Sequence, residues 1–331
     1  MCIAVLILFG ALGQSTMNDK PQFADDNIRR VRELPAEQFA AARQIILLGG
    51  NVWLNHRTGK VPAESVSFQG ERFTDAAVPL LWPFRNTPIR GIGFVRTKVT
   101  DDGIAQAFQS FPTLKSITVF EMPVGDAALA PLERFNDLEH VSLGQTQITS
   151  ASLRHFAHQS SLAHISISET AVDDAGLKHL EGLSQLKWLS LGNTKITSAG
   201  LVSIGKIDSL EKFLGLNDTP VDDEGLKYLV SLQKLETLGL DGTRITNAGM
   251  VHLARLFSLK ELYVGRTKVD AEGLALLQNM PKLEEVRWVD HEKATLEQKR
   301  FHARFILYLP ANANRWKDAR EKFERGELEI K

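Results

Sequence analysis

Residues 186–201 read LKWLSLGNTKITSAGL, and the same cadence returns at Leu138 (LEHVSLGQTQITSASL), Leu162 (LAHISISETAVDDAGL), Leu235 (LETLGLDGTRITNAGM) and Leu259 (LKELYVGRTKVDAEGL). Counting from the first Leu, the ninth position is held by Thr97, Met122, Thr146, Thr170, Thr194, Thr219, Thr243 and Thr267, at spacings of 25, 24, 24, 24, 25, 24 and 24. A degenerate unit lies upstream, from Val66 to Asp75, and one more strand follows at Leu283. A fixed period of this length marks an array of small units that cannot bury their apolar faces singly and must stack.

Each position within the unit has a physical reading. Apolar residues alternating at positions four and six, as at Leu189 and Leu191, mark a short strand with one buried face. Thr at position nine stands where the chain turns off the strand, with a hydroxyl suited to bonding a neighbouring unit's backbone. Position eleven (Ile148, Val172, Ile196, Val221, Ile245, Val269) re-enters the core. Position twelve (Thr149, Asp173, Thr197, Asp222, Thr246, Asp270) supplies residue types that cap a helix. Leu177, Leu180 and Leu183 then follow at helical spacing and pack behind the strand.

With these residues in view, the chain resembles the leucine-rich-repeat family, in the variant with Thr at position nine in place of Asn or Cys. The resemblance covers residues 66–289 and is similar above all to exported bacterial proteins built on T-x-I/V-T-D/S-A-G-L units. It implies an α/β fold: a right-handed solenoid, or horseshoe, with parallel strands on the concave face, helices on the convex face and capping elements at both ends. It also resembles substrate-recognition subunits of F-box ubiquitin ligases, which makes an adaptor role an alternative; no F-box-like helical region precedes these repeats.

The rest of the chain divides around the array. Residues 1–13 read as a signal peptide: Cys2–Leu12 is uncharged and apolar, too short to span a bilayer, and ends in Ala11-Leu12-Gly13, though no Lys or Arg precedes it. Residues 14–65 hold an amphipathic helix at 35–47, stopped by Gly49-Gly50, and a hairpin turning at Arg57-Thr58-Gly59. Residues 66–293 form the solenoid, and 294–331 a helical cap in which Phe301, Phe305, Tyr308 and Leu309 share one stripe. The expected location is the cell envelope or the exterior, with the cytoplasm as the alternative.

On each strand, positions three, five and seven point away from the core. Position three runs Gly91, Ser116, His140, His164, Trp188, Phe213, Thr237, Glu261 and Glu285, so four rings stand in sequence. Position five beside it is small through Ser142, Ser166, Ser190, Gly215 and Gly239. Gln145, Glu169, Asn193 and Asp218 at position eight would form a polar rim. Exposed aromatics dominate many interfaces, so the expected function is non-catalytic recognition of a macromolecule, foremost a protein. A carbohydrate-binding protein, with a cell-surface polysaccharide as partner, and an enzymatic cell-envelope protein are the alternatives. The competing reading is that the rings only stack on one another across strands.

Net charge of −1 gives no basic excess for nucleic acid, and none is expected as a partner. Cys2 is the only cysteine, so neither a disulfide framework nor a thiolate metal site can be built. His140 and His164 lack the further ligands of a zinc site. Asp101-Asp102, Asp173-Asp174 and Asp222-Asp223 recur at the capping position, which accounts for them without calcium. His291-Glu292 has no second His at the metalloprotease spacing, and neither a nucleophile elbow nor a phosphate loop occurs. No cofactor, metal or catalytic residue is expected.

Overall fold

The computed structural model describes residues 27–54 and 63–288. The signal-peptide reading of residues 1–13, the tip of the hairpin at Arg57-Thr58-Gly59 and the helical cap at 294–331 lie outside the described residues.

Helix α1 (Ala36–Leu47) turns Ala41, Ala42, Ile45 and Ile46 into the core. It leads to β1 (Asn51–Leu54), which pairs antiparallel with β2 (Ala63–Gln69). From β2 onward every pairing is parallel and sequential: β3 (Gly91–Val95), β4 (Ser116–Phe120), β5 (His140–Ser142), β6 (His164–Ser166), β7 (Trp188–Ser190), β8 (Phe213–Gly215), β9 (Thr237–Gly239), β10 (Glu261–Tyr263) and β11 (Glu285–Arg287). Among the described residues the sheet has 11 strands in chain order and does not close on itself.

Between strands the chain returns through short helices: α2 (Asp101–Gln109), α3 (Asp174–Leu177), α4 (Leu201–Ile204), α5 (Asp223–Leu229), α6 (Asn247–Leu253) and α7 (Ala271–Ala275). On either side of α2 the return is a 3₁₀ stretch instead, at Asp75–Phe84, Asp126–Arg134 and Ser150–Phe156. Pro79, Pro83 and Pro131 lie inside two of these stretches and remove the N–H that an α-helix needs there. Parallel strands joined by such crossovers wind right-handed. Strands sit closer together than the returns packed behind them, so the sheet takes the inside of the curve.

The core is one continuous column. Positions one, four, six, eleven and sixteen of the unit at Leu186 (Leu186, Leu189, Leu191, Ile196 and Leu201) have no exposed surface, and their counterparts in neighbouring units match. Bulk changes along it. The largest buried side chains gather near the amino end (Phe68, Phe73, Phe84, Phe94, Phe108, Phe111), whereas the later units are filled with Leu.

Two expectations need correction. The position-nine hydroxyls do not bond a neighbouring unit's backbone: Thr97 donates to Met122 Sδ of the next unit at 3.3 Å, and the others turn back on their own unit. Thr146, Thr170, Thr194, Thr219 and Thr243 each donate to the carbonyl three residues earlier in their own unit, at 2.6–2.7 Å. The cause is the residue just before: Gln145, Glu169, Asn193 and Asp218 all have φ between 51° and 58°, a left-handed step that folds the chain back over its own strand. The second correction concerns Asp222, which makes no side-chain cap bond. Thr149, Asp173, Thr246 and Asp270 do cap, each accepting from the N–H two residues on. Thr197 accepts from Ala199 in the same way, but α4 starts only at Leu201, after Gly200.

Candidate functional site

Strand register decides what the sheet displays. Ser116, His140, His164, Trp188, Phe213, Thr237, Glu261 and Glu285 are consecutive partners across β4 to β11. Thr118, Ser142, Ser166, Ser190, Gly215, Gly239, Tyr263 and Arg287 run beside them in the same way. The central strands are three residues long, with the middle residue (Val141, Ile165, Leu189, Leu214) buried and its two neighbours turned outward.

The four rings form a stack. Centroids lie 5.9 Å apart for His140–His164, 5.3 Å for His164–Trp188 and 4.3 Å for Trp188–Phe213. The last two pairs are each inclined by only 19°. Trp188 is the most open member, 37% exposed, and both faces of its indole are covered by neighbours. The open part of the ridge is therefore its edge. Burial in the stack pulls the His164 imidazole down to about 4, with His140 beside it adding to the shift; burial also lowers His140, against the pull of Glu139. Both rings are neutral near pH 7.

Position eight holds together as a row at the turn edge, with more internal bonding than a free rim would have. Gln145 donates to Glu169 at 2.9 Å, and Arg266 clasps Asp218 through two bonds of 2.6 and 2.8 Å. That clasp spans two units and passes over Gly242, whose φ is 68°. A Cβ there would stand 2.2 Å from an Asp218 carboxylate oxygen.

The fold is a leucine-rich-repeat solenoid. No protein-family model matches the sequence, and no curated protein matches it. Solved structures similar to it include an internalin from Listeria monocytogenes, 22% identical with a TM-score of 0.49 over 64% of this chain and 56% of its own. A second, internalin C2 from the same organism, is 22% identical with a TM-score of 0.48, over 65% of this chain and 84% of its own. A plant peptide hormone receptor, RGFR1 in complex with RGF2, is 14% identical with a TM-score of 0.46, over 72% of this chain and 36% of its own. The chain thus spans little more than half of the first internalin and about a third of the receptor.

One residue of the sheet face was not visible in the repeat pattern. Trp53 pairs with Ser65, and Ser65 with Gly91, which puts Trp53 in the same column as the ring stack. It is 44% exposed. Ser65, Gly91 and Ser116 separate it from His140, so the column has an indole at one end, a shallow stretch and then the ridge. The hairpin itself could be read from the sequence; its antiparallel register, which aims Trp53, could not. At the far end Tyr263 donates to Glu261 at 2.6 Å, and the Arg287 guanidinium lies 4.6 Å over the tyrosine ring.

Among the described residues, no group of three or more His, Cys, Asp or Glu is placed to hold a metal ion, and no helix is long and apolar enough to cross a membrane. The paired Asp residues are engaged at the turn edge. Asp174 and Asp223 each accept both the N–H and the hydroxyl of the next unit's Thr, at 2.5–2.8 Å.

Proposed function

We propose that this chain is a non-catalytic recognition protein that docks another protein on the exposed sheet face. The ring stack from His140 to Phe213 is the centre of the contact and the small floor of Ser142, Ser166 and Ser190 its base. Gln145, Glu169, Asn193 and Asp218 border it.

The observation that carries this reading is the mixed state of Trp188: stacked on both sides, yet more than a third exposed on a face where its neighbours are small. Stacking satisfies the ring faces and fixes the rotamer, so a partner meets a rigid apolar edge at little entropic cost. The same geometry favours protein over polysaccharide. A sugar ring packs on an open aromatic face, and Trp188 presents none. The apolar run at Cys2–Leu12 supports action outside the cytoplasm.

The test is crosslinking capture from the native source, followed by affinity measurement with the captured protein. The Trp188→Ala/Phe213→Ala double variant is expected to lose at least ~10-fold in affinity, as removal of a paired aromatic hot spot does. Trp82→Ala, an exposed indole on the 3₁₀ stretch behind the sheet, is expected to change nothing. Equal affinity of wild type and a folded double variant ends the proposal.

A further inference from the structure

A second apolar area lies on the helix side of the later units. Val202 on α4, Tyr228 on α5, Val251 on α6, Phe257 beyond α6 and Leu276 at the end of α7 are each between 39% and 55% exposed. Their helices pack one on the next, α4 on α5, α5 on α6 and α6 on α7, so the side chains follow each other across four units. Earlier units are different. The position held by Val202 and Val251 is Arg154 in the unit at Leu138 and Lys178 in the unit at Leu162, the ordinary choice for a solvated helix. Lys227 holds that position in the unit between Val202 and Val251, with Tyr228 beside it, and Trp82 is exposed behind the sheet at the amino end.

Residues 289–331 continue directly from Trp288, beyond the last strand. Within them, residues 294–309 (ATLEQKRFHARFILYL) place Phe301, Phe305, Tyr308 and Leu309 on one stripe at helical spacing. We propose that this segment folds back within the same chain and lays that stripe on Val251 and Leu276, covering the helix side of the final units. Length permits it. The chain from Trp288 to Ala294, where the helix begins, can extend roughly 20 Å. A helix of this length covers about 24 Å, and neighbouring helices lie about 10 Å apart, so it bridges two to three units. This surface is separate from the sheet face, and the inference stands without the function proposed above.

Because Cys2 is the only cysteine, a Cys2→Ser background allows clean pairwise crosslinking. Val251→Cys with His302→Cys, treated with a short bis-maleimide, is expected to give an intramolecular link. Lys178→Cys with His302→Cys, the same helix position three units away, is expected to give at least ~10-fold less. Comparable yields at the two sites, no link at either, or a link between isotopically distinct copies would each overturn the proposal, the last by making a second chain the occupant. A Val251→Glu/Leu276→Glu variant gives an independent reading, since both side chains are exposed and the repeats should fold unchanged. Trypsin cleavage after Lys299, Arg300 and Arg304 is expected to quicken at least ~5-fold at an unaltered unfolding midpoint; unchanged cleavage also overturns it.

Discussion

The two edges of one repeat are governed by opposite rules. At the turn edge, behind position nine, each unit is bonded to the next through side chains that leave little to choose. Asp126, Asp174 and Asp223 accept from Thr149, Thr197 and Thr246, whereas Ser150, Ser198 and Asn247 donate to Asp173, Asp222 and Asp270. From Asp126 onward acceptor and donor alternate, so the bonding there repeats every two units although the fold repeats every one. Before it, Asp75 and Asp101 both accept, from Thr100 and from the Gly125 N–H. On the sheet face, positions three and five carry His, Trp, Phe, Thr and Glu in turn, with no pairing rule that all units obey. One edge specifies the stack. The other is free to differ from unit to unit, which a recognition surface requires.

The sharpest way to break this contrast is to crowd the turn edge. The Gly of the A-G-L motif sits where the preceding unit's position-thirteen side chain lands: a Cβ on Gly200 would meet an Asp174 carboxylate oxygen at 2.3 Å and Leu177 at 2.9 Å. Gly200→Ala is expected to cost about 2–3 kcal/mol in denaturant unfolding, as overpacking does. One unit already shows the permitted exception. Ser152 stands in place of that Gly and donates its hydroxyl to Asp126, whose bonds from Ser152 and Thr149 outweigh the effect of burial and hold its carboxyl below the usual range. Ser152→Ala should therefore cost only about 1 kcal/mol, the net worth of one bond. A loss at Gly200 no larger than at Ser152 would show that the edge is not tightly fitted.

A second experiment asks whether alternation matters or only bonding. Asp174→Ser alone leaves Thr197 facing a Ser hydroxyl in place of a carboxylate that takes two bonds, and is expected to cost about 1–2 kcal/mol. Adding Thr197→Asp recreates the Ser150–Asp173 arrangement and should recover most of the loss. A coupling near zero in the double-mutant cycle would mean that the two-unit period is incidental.

These relations explain what could be read in advance. The unit, its strand, its core positions and the outward columns all follow from periodicity within a single chain segment, and every register pair from Ser116 to Glu285 falls where the spacing put it. The pairs Thr149-Ser150, Asp173-Asp174, Thr197-Ser198 and Asp222-Asp223 were equally visible, yet their partners lie 23 or 24 residues away in the stack. Read as local signals they suggest caps, and capping is only half of what they do. The left-handed step at position eight was hidden because Gln145 and Glu169 are not residues that announce it, and without that step the Thr hydroxyl has no reason to turn back on its own unit. Trp53 needed a hairpin register that no repeat supplies.

Between pH 4 and 6.5 the sheet face should respond to pH where the turn edge does not, since Asp126 and Asp270 are held below the usual carboxylate range and lose their stabilisation only at lower pH. His164 has a folded pKa pulled below its ordinary value to about 4, so the unfolded chain binds the proton more readily between that value and the usual histidine range. Stability from this group is complete above that window and falls as pH drops through it, by about 1–2 kcal/mol once partial exposure is allowed for. His140 contributes in the same direction. His164→Gln is expected to flatten the stability profile between pH 4 and 6.5, with Trp188 emission following the same change in the wild type. An identical acid limb in the variant would move the sensitivity to His155, whose imidazole is also lowered by burial.

The smallest expected effect is a gain. Gln145 holds φ at 55°, where a side chain costs about 1 kcal/mol relative to glycine, and its single bond to Glu169 is exposed to solvent. The strain outweighs the bond, so Gln145→Gly should stabilise the fold by a few tenths of a kcal/mol in chemical denaturation. The same change at Asp218 should destabilise it, because there the side chain is held by two bonds to Arg266 across a neighbouring unit. Opposite signs at two equivalent positions would show that the repeat tolerates side chains at position eight only for what they reach. Equal signs would return this row to the backbone alone.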